Sequence, residues 1–266
     1  MINSRIKHSG RKLRQLLVTL SSLAILLVSF SASADEADAK RIFKAMTDYI
    51  DSQEAIAFEY DSILEVVTVD GQKLQMASSG TVNLRRPDKL KFTRTGGVAD
   101  VELTFDGTTV TLFGKNMNLY AQEQIPGTLD NMIDTLRLEH GRPMPAADLL
   151  LSDAYKAMMH DVKDIKDIGV GVINGVVCDT LAFRDDEVDW QIWIAQGDKP
   201  YPCRYVITTR DMTGAPQYSI QIRNWKTGGD VSKADYTFKP TPEAAEIKLS
   251  DLELDLPESF EKGEAK

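Results

Sequence analysis

The sequence predicts a mainly β (α+β) protein. About ten or eleven antiparallel strands form a sheet large enough to curl, with helices on its concave side. Three observations carry this. Apolar residues recur at every second position from Ala57 onward, as in Val101, Leu103 and Phe105 against Glu102 and Thr104. Asp70-Gly71, Asp106-Gly107 and Asn174-Gly175 punctuate those runs as hairpin turns. Between the two groups of strands lie short amphipathic helical segments, and no internal repeat or linker suggests a second domain.

At the N-terminus, Arg5, Lys7, Arg11, Lys12 and Arg14 precede an apolar run from Leu16 to Phe30, broken by Thr19, Ser21, Ser22 and Ser29. Ala32-Ser33-Ala34 then places small residues where a signal peptidase reads, and Asp35-Glu36 follow. This order of charge, apolar core and small residues reads as a signal peptide over 1–34, cleaved after Ala34, which sends the chain to the periplasm. No cysteine stands at the cleavage point, and no later segment approaches the ~20 apolar residues of a membrane span. A soluble domain over 35–249 with no stable membrane anchor is therefore expected. A polar, acidic tail over 250–266 is expected to be disordered.

The mature chain opens with a helix: Ala39, Ile42, Phe43, Met46, Tyr49 and Ile50 share one face, opposite Lys40, Lys44 and Asp48. Strands are predicted over 57–69, 74–86, 89–95, 100–105, 108–114 and 117–122. Thr128 then caps a helix carrying Leu129, Met132, Ile133 and Leu136, which ends before Gly141. Pro143 and Pro145 break the chain. Ser152 is the expected cap of a second helix through 162, with Leu151, Ala154, Tyr155, Met158 and Val162 as its stripe. Strands resume over 165–173, 176–184, 188–195, 203–210 and 217–225, and 234–239 is expected to close the set before Pro240 and Pro242.

Removing the five basic residues of the signal leaves 26 of 31 against 40 acidic ones, a net charge of −14. With no basic cluster, that balance argues against nucleic acid as a partner and disfavours steady adhesion to a surface of anionic lipid headgroups. Cys178 and Cys203 are the only cysteines, so no disulfide scaffold or cysteine-based zinc knuckle exists. An oxidising compartment favours pairing them. Against it, they fall on the outer strands of a three-strand meander, about 9.6 Å apart, where a bridge needs less than ~7 Å.

His140 and His160 end predicted helices, where an imidazole suits the dipole, and neither has partners at metal-ligand spacing. No Gly-x-Ser-x-Gly elbow is present. Gly169-Val170-Gly171 with Gly175 precedes a hairpin instead of a helix, unlike a nucleotide fingerprint. Asp185, Asp186, Glu187 and Asp189 lack the glycine and closing glutamate of a calcium loop and read as a charged hairpin tip. No catalytic residue, metal site or cofactor is expected.

The apolar positions offer more. Met117, Met132, Met144, Met158 and Met159 cluster around the helical insertion, and methionine suits adaptable apolar surfaces such as a cavity under a lid. The candidates to line that cavity are Phe92, Leu103, Phe105 and Leu112 on strands. Leu129, Met132, Ile133, Leu136, Tyr155 and Met158 join them from helices, and Trp190 and Ile192 from a later strand. Ordinary core packing accounts for each of these positions as readily.

The string Gly80-Thr81-Val82-Asn83-Leu84-Arg85-Arg86-Pro87-Asp88-Lys89-Leu90 resembles the early strand pair of the lipoprotein-carrier (LolA/LolB-like) superfamily. Further strings are Tyr120-Ala121, Pro126-Gly127-Thr128-Leu129-Asp130, Ala147-Asp148-Leu149-Leu150, Gly175-Val176-Val177-Cys178-Asp179, Leu181-Ala182-Phe183, Asp189-Trp190-Gln191-Ile192-Trp193-Ile194 and Gly214-Ala215-Pro216-Gln217-Tyr218. Together they resemble an uncharacterised family of predicted periplasmic proteins grouped with those carriers, from about residue 40 to 247. That family often has histidine after the Cys-Asp pair, where Thr180 stands here. The resemblance implies a strongly curved, incomplete antiparallel barrel with helices over an apolar concave face, and no catalytic residues. It implies a binding protein for a lipid, acyl chain or other apolar ligand, with a lipoprotein or envelope protein as partner. The alternative is an envelope-sensing or protein-interaction module that grips a peptide with the same half-barrel.

Overall fold

A computed structural model describes residues 31–96, 99–229, 231 and 234–252 of the 266-residue chain, with side chains from Asp35 onward. The predicted signal peptide up to residue 30 and the tail from 253 lie outside the described residues.

Helix α1 spans Ser31–Asp51. Ala39, Phe43, Met46 and Ile50 are fully buried along one face, the three- and four-residue spacing that a helix brings into line. Its outer face carries the Lys40–Glu36 and Lys44–Asp48 ion pairs, each one turn apart. Eleven antiparallel strands follow in two runs. The first is β1 (Ala55–Val67), β2 (Lys73–Arg85), β3 (Lys89–Gly96), β4 (Val101–Phe105), β5 (Thr109–Gly114) and β6 (Leu119–Gln124). After helix α2 (Leu129–Leu138), a 3-10 turn (Ala147–Leu150) and helix α3 (Ala154–Met159) come β7 (Asp164–Ile173), β8 (Val176–Arg184), β9 (Val188–Ala195), β10 (Pro202–Thr209) and β11 (Gln217–Thr227).

Together with a two-residue strand β12 (Ala245–Glu246), these strands form one curved, unclosed sheet in the order β12-β6-β5-β4-β3-β2-β1-β11-β10-β9-β8-β7. The two runs join where β1 pairs antiparallel with β11. Each run is a meander because its turns are tight: Gly71, Gly107 and Gly175 all have positive φ, as the hairpin signals require.

Residues 234–239, expected as a last strand, are irregular. Asp235 accepts from the Thr237 N–H, the Thr237 hydroxyl and Lys239 Nζ, a local turn that competes with strand pairing. Phe238 instead packs on the rings of Phe113 and Tyr120. The edge beyond β6 is met by β12 (Ala245–Glu246), a two-residue strand parallel to Leu119 and Tyr120.

Thr128 caps α2 as expected, its hydroxyl accepting from the Asn131 N–H at 3.3 Å. The second helix is shorter than its apolar stripe suggests. Ser152 does not cap it, because Asp130 takes both the Ser152 N–H and hydroxyl. Asp153 caps α3 one residue later. Of the acidic tail, the stretch to Leu252 is held: Leu249 and Leu252 are buried, and Arg142 Nη2 donates to both their carbonyls at 2.5 and 2.7 Å.

Cys178 and Cys203 are free, buried thiols, donating to the Val176 carbonyl at 3.4 Å and the Tyr201 carbonyl at 4.0 Å. The regular strand spacing is interrupted here. Pro202 pairs with Ile194 and Arg204 with Trp193, so Cys203 is the extra residue of a bulge. The intervening position on β9 is Ala195, and the three residues form a small cluster of their own.

Candidate functional site

The concave face is divided between two coverings. Over β7, β8 and β9 it is filled by α1 and α3. Phe43 of α1 sits among Tyr155, Phe183 and Trp190, with ring centroids 5.2 to 5.8 Å apart, and Phe183 stacks on Trp190 at 3.7 Å. This half is packed solid by the protein's own aromatic rings.

Over the first run of strands and β10–β11 the face encloses a cavity of about 560 Å³. That falls within the range of about 300–1,000 Å³ usual for small-molecule sites. Cross-strand register builds its floor. Phe58, Val82, Phe92, Leu103 and Leu112 stand opposite one another across five strands and all face inward. Ile220, Ile222 and Trp225 continue the wall on β11. Asn224, with φ +55°, sits in a bulge of β11 that returns Trp225 to the inner side, stacked between Phe58 and Tyr201.

The roof is Ile133 and Leu136 of α2 with the segment from Arg142 to Leu150. Pro143 and Pro145 keep part of that segment out of helix, and Ala146 takes φ +66° at the entry to the 3-10 turn. Arginines hold it in place. Arg137 forks onto the Asp148 carboxylate at 2.6 and 3.2 Å and donates to the Met144 carbonyl. Arg86 Nη1 donates to the Leu150 carbonyl at 3.0 Å, and its guanidinium lies 3.8 Å from Asp51 at the end of α1. Burial pushes the Asp51 carboxyl above its ordinary range, and Arg86 partly opposes this.

Of the residues predicted to line a cavity, Phe92, Leu103, Leu112, Ile133 and Leu136 are on its wall. Phe105, Leu129, Met132, Tyr155, Met158, Trp190 and Ile192 are not, and instead pack in or against the main core. The cause is α1, which fills the concave face where the aromatic residues Tyr155 and Trp190 lie. Phe105, Leu129 and Met132 are under 3% exposed, within the main core.

Sequence reasoning missed the polar part of the wall: Ser62, Ser78, Arg94 and Tyr218. The Ser62 and Ser78 hydroxyls are 2.9 Å apart, and Tyr218 lines the wall beside them. Tyr60 crosses β2 over Gly80 to donate to the Thr93 carbonyl at 2.9 Å. A Cβ on Gly80 would lie 1.9 Å from that carbonyl oxygen, so only glycine leaves room for the ring. Burial raises the pKa of both tyrosines, with the Arg94 charge opposing it. The alternation of small and polar residues in Ser62, Ser78 and Gly80 was the available signal.

The remaining candidates lie away from this cavity. His160 is exposed beside Asp161 at the end of α3. Asp185 closes the β8–β9 turn by accepting from the Glu187 and Val188 N–H groups, while Asp189 pairs with Arg184 and Arg210. Among the described residues no three His, Cys, Asp or Glu side chains are grouped to hold a metal ion, and no helix is long and apolar enough to cross a membrane.

Solved structures of similar architecture include the lipoprotein LppX from Mycobacterium tuberculosis, at 12% identity and TM-score 0.46, covering 74% of this chain and 99% of that one. An uncharacterized conserved protein from Thermus thermophilus is 8% identical, with TM-score 0.45 and coverage of 79% and 99%. A LolA superfamily protein from Nitrosomonas europaea is 10% identical, with TM-score 0.33 and coverage of 72% and 94%. No curated protein sequence matches the chain. The sequence model described as "Predicted periplasmic protein (DUF2092)" matches residues 39–250, and the chain therefore belongs to that family.

Proposed function

We propose that the protein is a periplasmic, non-catalytic binding protein that holds an acyl chain or other apolar ligand between its curved sheet and the 142–150 roof. The observation that carries this is the cavity itself: about 560 Å³, with a continuous five-strand floor of apolar side chains. Burying a ligand there at about 25 cal/mol per Å² needs no further chemistry. Export with cleavage after Ala34 supports the reading. It would leave a domain over 35–249 whose first buried contact is Ala39, and would place the cavity where apolar molecules must cross water.

Native mass spectrometry and titration with a fluorescent fatty-acid analogue test this. One molecule bound per chain is the expected result, with affinity reduced at least about tenfold by Leu103→Trp, which fills the cavity floor. Absence of uptake by protein stripped of ligand, or uptake indifferent to Leu103→Trp, would overturn it.

A second reading, capture of a peptide or partner protein, is favoured by one observation. Edge strand β7 pairs on one side alone among the described residues and exposes Ile168, Val170 and Val172. Cross-linking in envelope extract that recovers one partner through β7, lost in Val170→Lys, would move the assignment to this reading.

A further inference from the structure

From the polar cluster in the cavity wall we infer that the ligand is an amphiphile with an anionic head, received by Arg94 beside the Ser62, Ser78 and Tyr218 hydroxyls. This deepens the binding-protein reading and rests on it. Register puts the cluster in one place. Tyr60, Gly80, Arg94 and Val101 are opposite one another in one inward-facing row, and Ser62, Ser78 and Gly96 form the next. The row on the other side, Phe58 to Leu112, is wholly apolar. A chain lying over the apolar row would therefore have its head at Arg94.

Arg94 is suited to an anion. Its Nε donates to the Ala99 carbonyl at 3.2 Å, and among the described residues it forms no ion pair. The other charged side chains on the wall are already engaged. Arg142 is held by the Leu249 and Leu252 carbonyls, and Glu65 by Lys73, Gln75 and the Gln217 N–H. A half-buried guanidinium facing apolar surface without an ion-pair partner gains most from a ligand that brings negative charge. The Ser62–Ser78 pair and the Tyr218 phenol add donors around it. The charge selects a carboxylate or a phosphate monoester over an alcohol or ester of equal chain length.

The test uses the ligand-stripped protein and four probes with twelve-carbon chains: dodecanoate, dodecyl phosphate, dodecanol and methyl dodecanoate. Wild type is expected to bind the anionic probes about tenfold more tightly than the neutral ones, as a charge-assisted hydrogen bond predicts. Arg94→Gln should collapse that ratio to about one, and Arg94→Lys should restore part of it. Comparison of the two anions identifies which head fits. Binding of all four with equal affinity by wild type, or an anion preference that survives in Arg94→Gln of unchanged melting temperature, would overturn the assignment while leaving the apolar cavity intact. Binding of none would overturn both.

Discussion

Glu65 shows how single residues balance the cavity rim. Its carboxylate is only 14% exposed and accepts from Lys73 Nζ at 3.3 Å, Gln75 Nε2 at 3.4 Å and the Gln217 N–H at 3.0 Å. Burial alone would raise its pKa, but these donors outweigh it and hold the group below its ordinary value of 4.5. A carboxylate with a depressed folded pKa contributes stability that is full above its unfolded value and is lost as pH falls through the folded one. Glu65→Gln should therefore cost about 1–2 kcal/mol at pH 7 and little at pH 3, so urea midpoints of variant and wild type converge in acid. A gap that stays constant between the two pH values would refute the assignment. Nothing in the local sequence announces this role, since Lys73 and Gln75 stand on the neighbouring strand β2 and Gln217 on β11.

At the scale of elements, periodicity located what lies within one strand or helix, and missed what depends on neighbours. The α1 stripe, the hairpins at Gly71, Gly107 and Gly175 and the cap at Thr128 were legible because each is set by residues a few positions apart. The bulge at Cys203 was not, because it exists only relative to β9. That bulge makes a Cys178–Cys203 disulfide a reasonable proposal: the thiols share one small buried cluster, and burial raises both their pKa values, which slows attack while they remain in the fold. Oxidation during refolding should close the bridge, remove both thiols from maleimide labelling and raise unfolding stability by about 3.5 kcal/mol. Labelling of both cysteines in the oxidised, then denatured, protein would show that β8 and β10 do not bring them into bonding geometry.

At the scale of the whole molecule, the sequence conveyed a curved sheet with helices on its inner face but not the division of that face. Tyr155, Met158, Trp190 and Ile192 have the composition of a ligand wall, and whether they meet a ligand or Phe43 depends on where α1 docks, which periodicity does not encode. The division has a dynamic consequence. The roof from Arg142 to Leu150 is held by arginines and contributes few buried side chains, so its amides should exchange through local opening, whereas the slowest amides of β8 and β9 open only with the chain as a whole. A ligand under the roof must leave before either opening, so hydrogen exchange in both should slow by the same factor, set by ligand concentration over Kd. Amides at the exposed start of α1 and the outer edge of β7 open without disturbing the cavity and should keep their rates. Slowing confined to β7 and α1, with the roof unchanged on adding dodecanoate, would place the ligand on the outer edge instead of beneath residues 142–150.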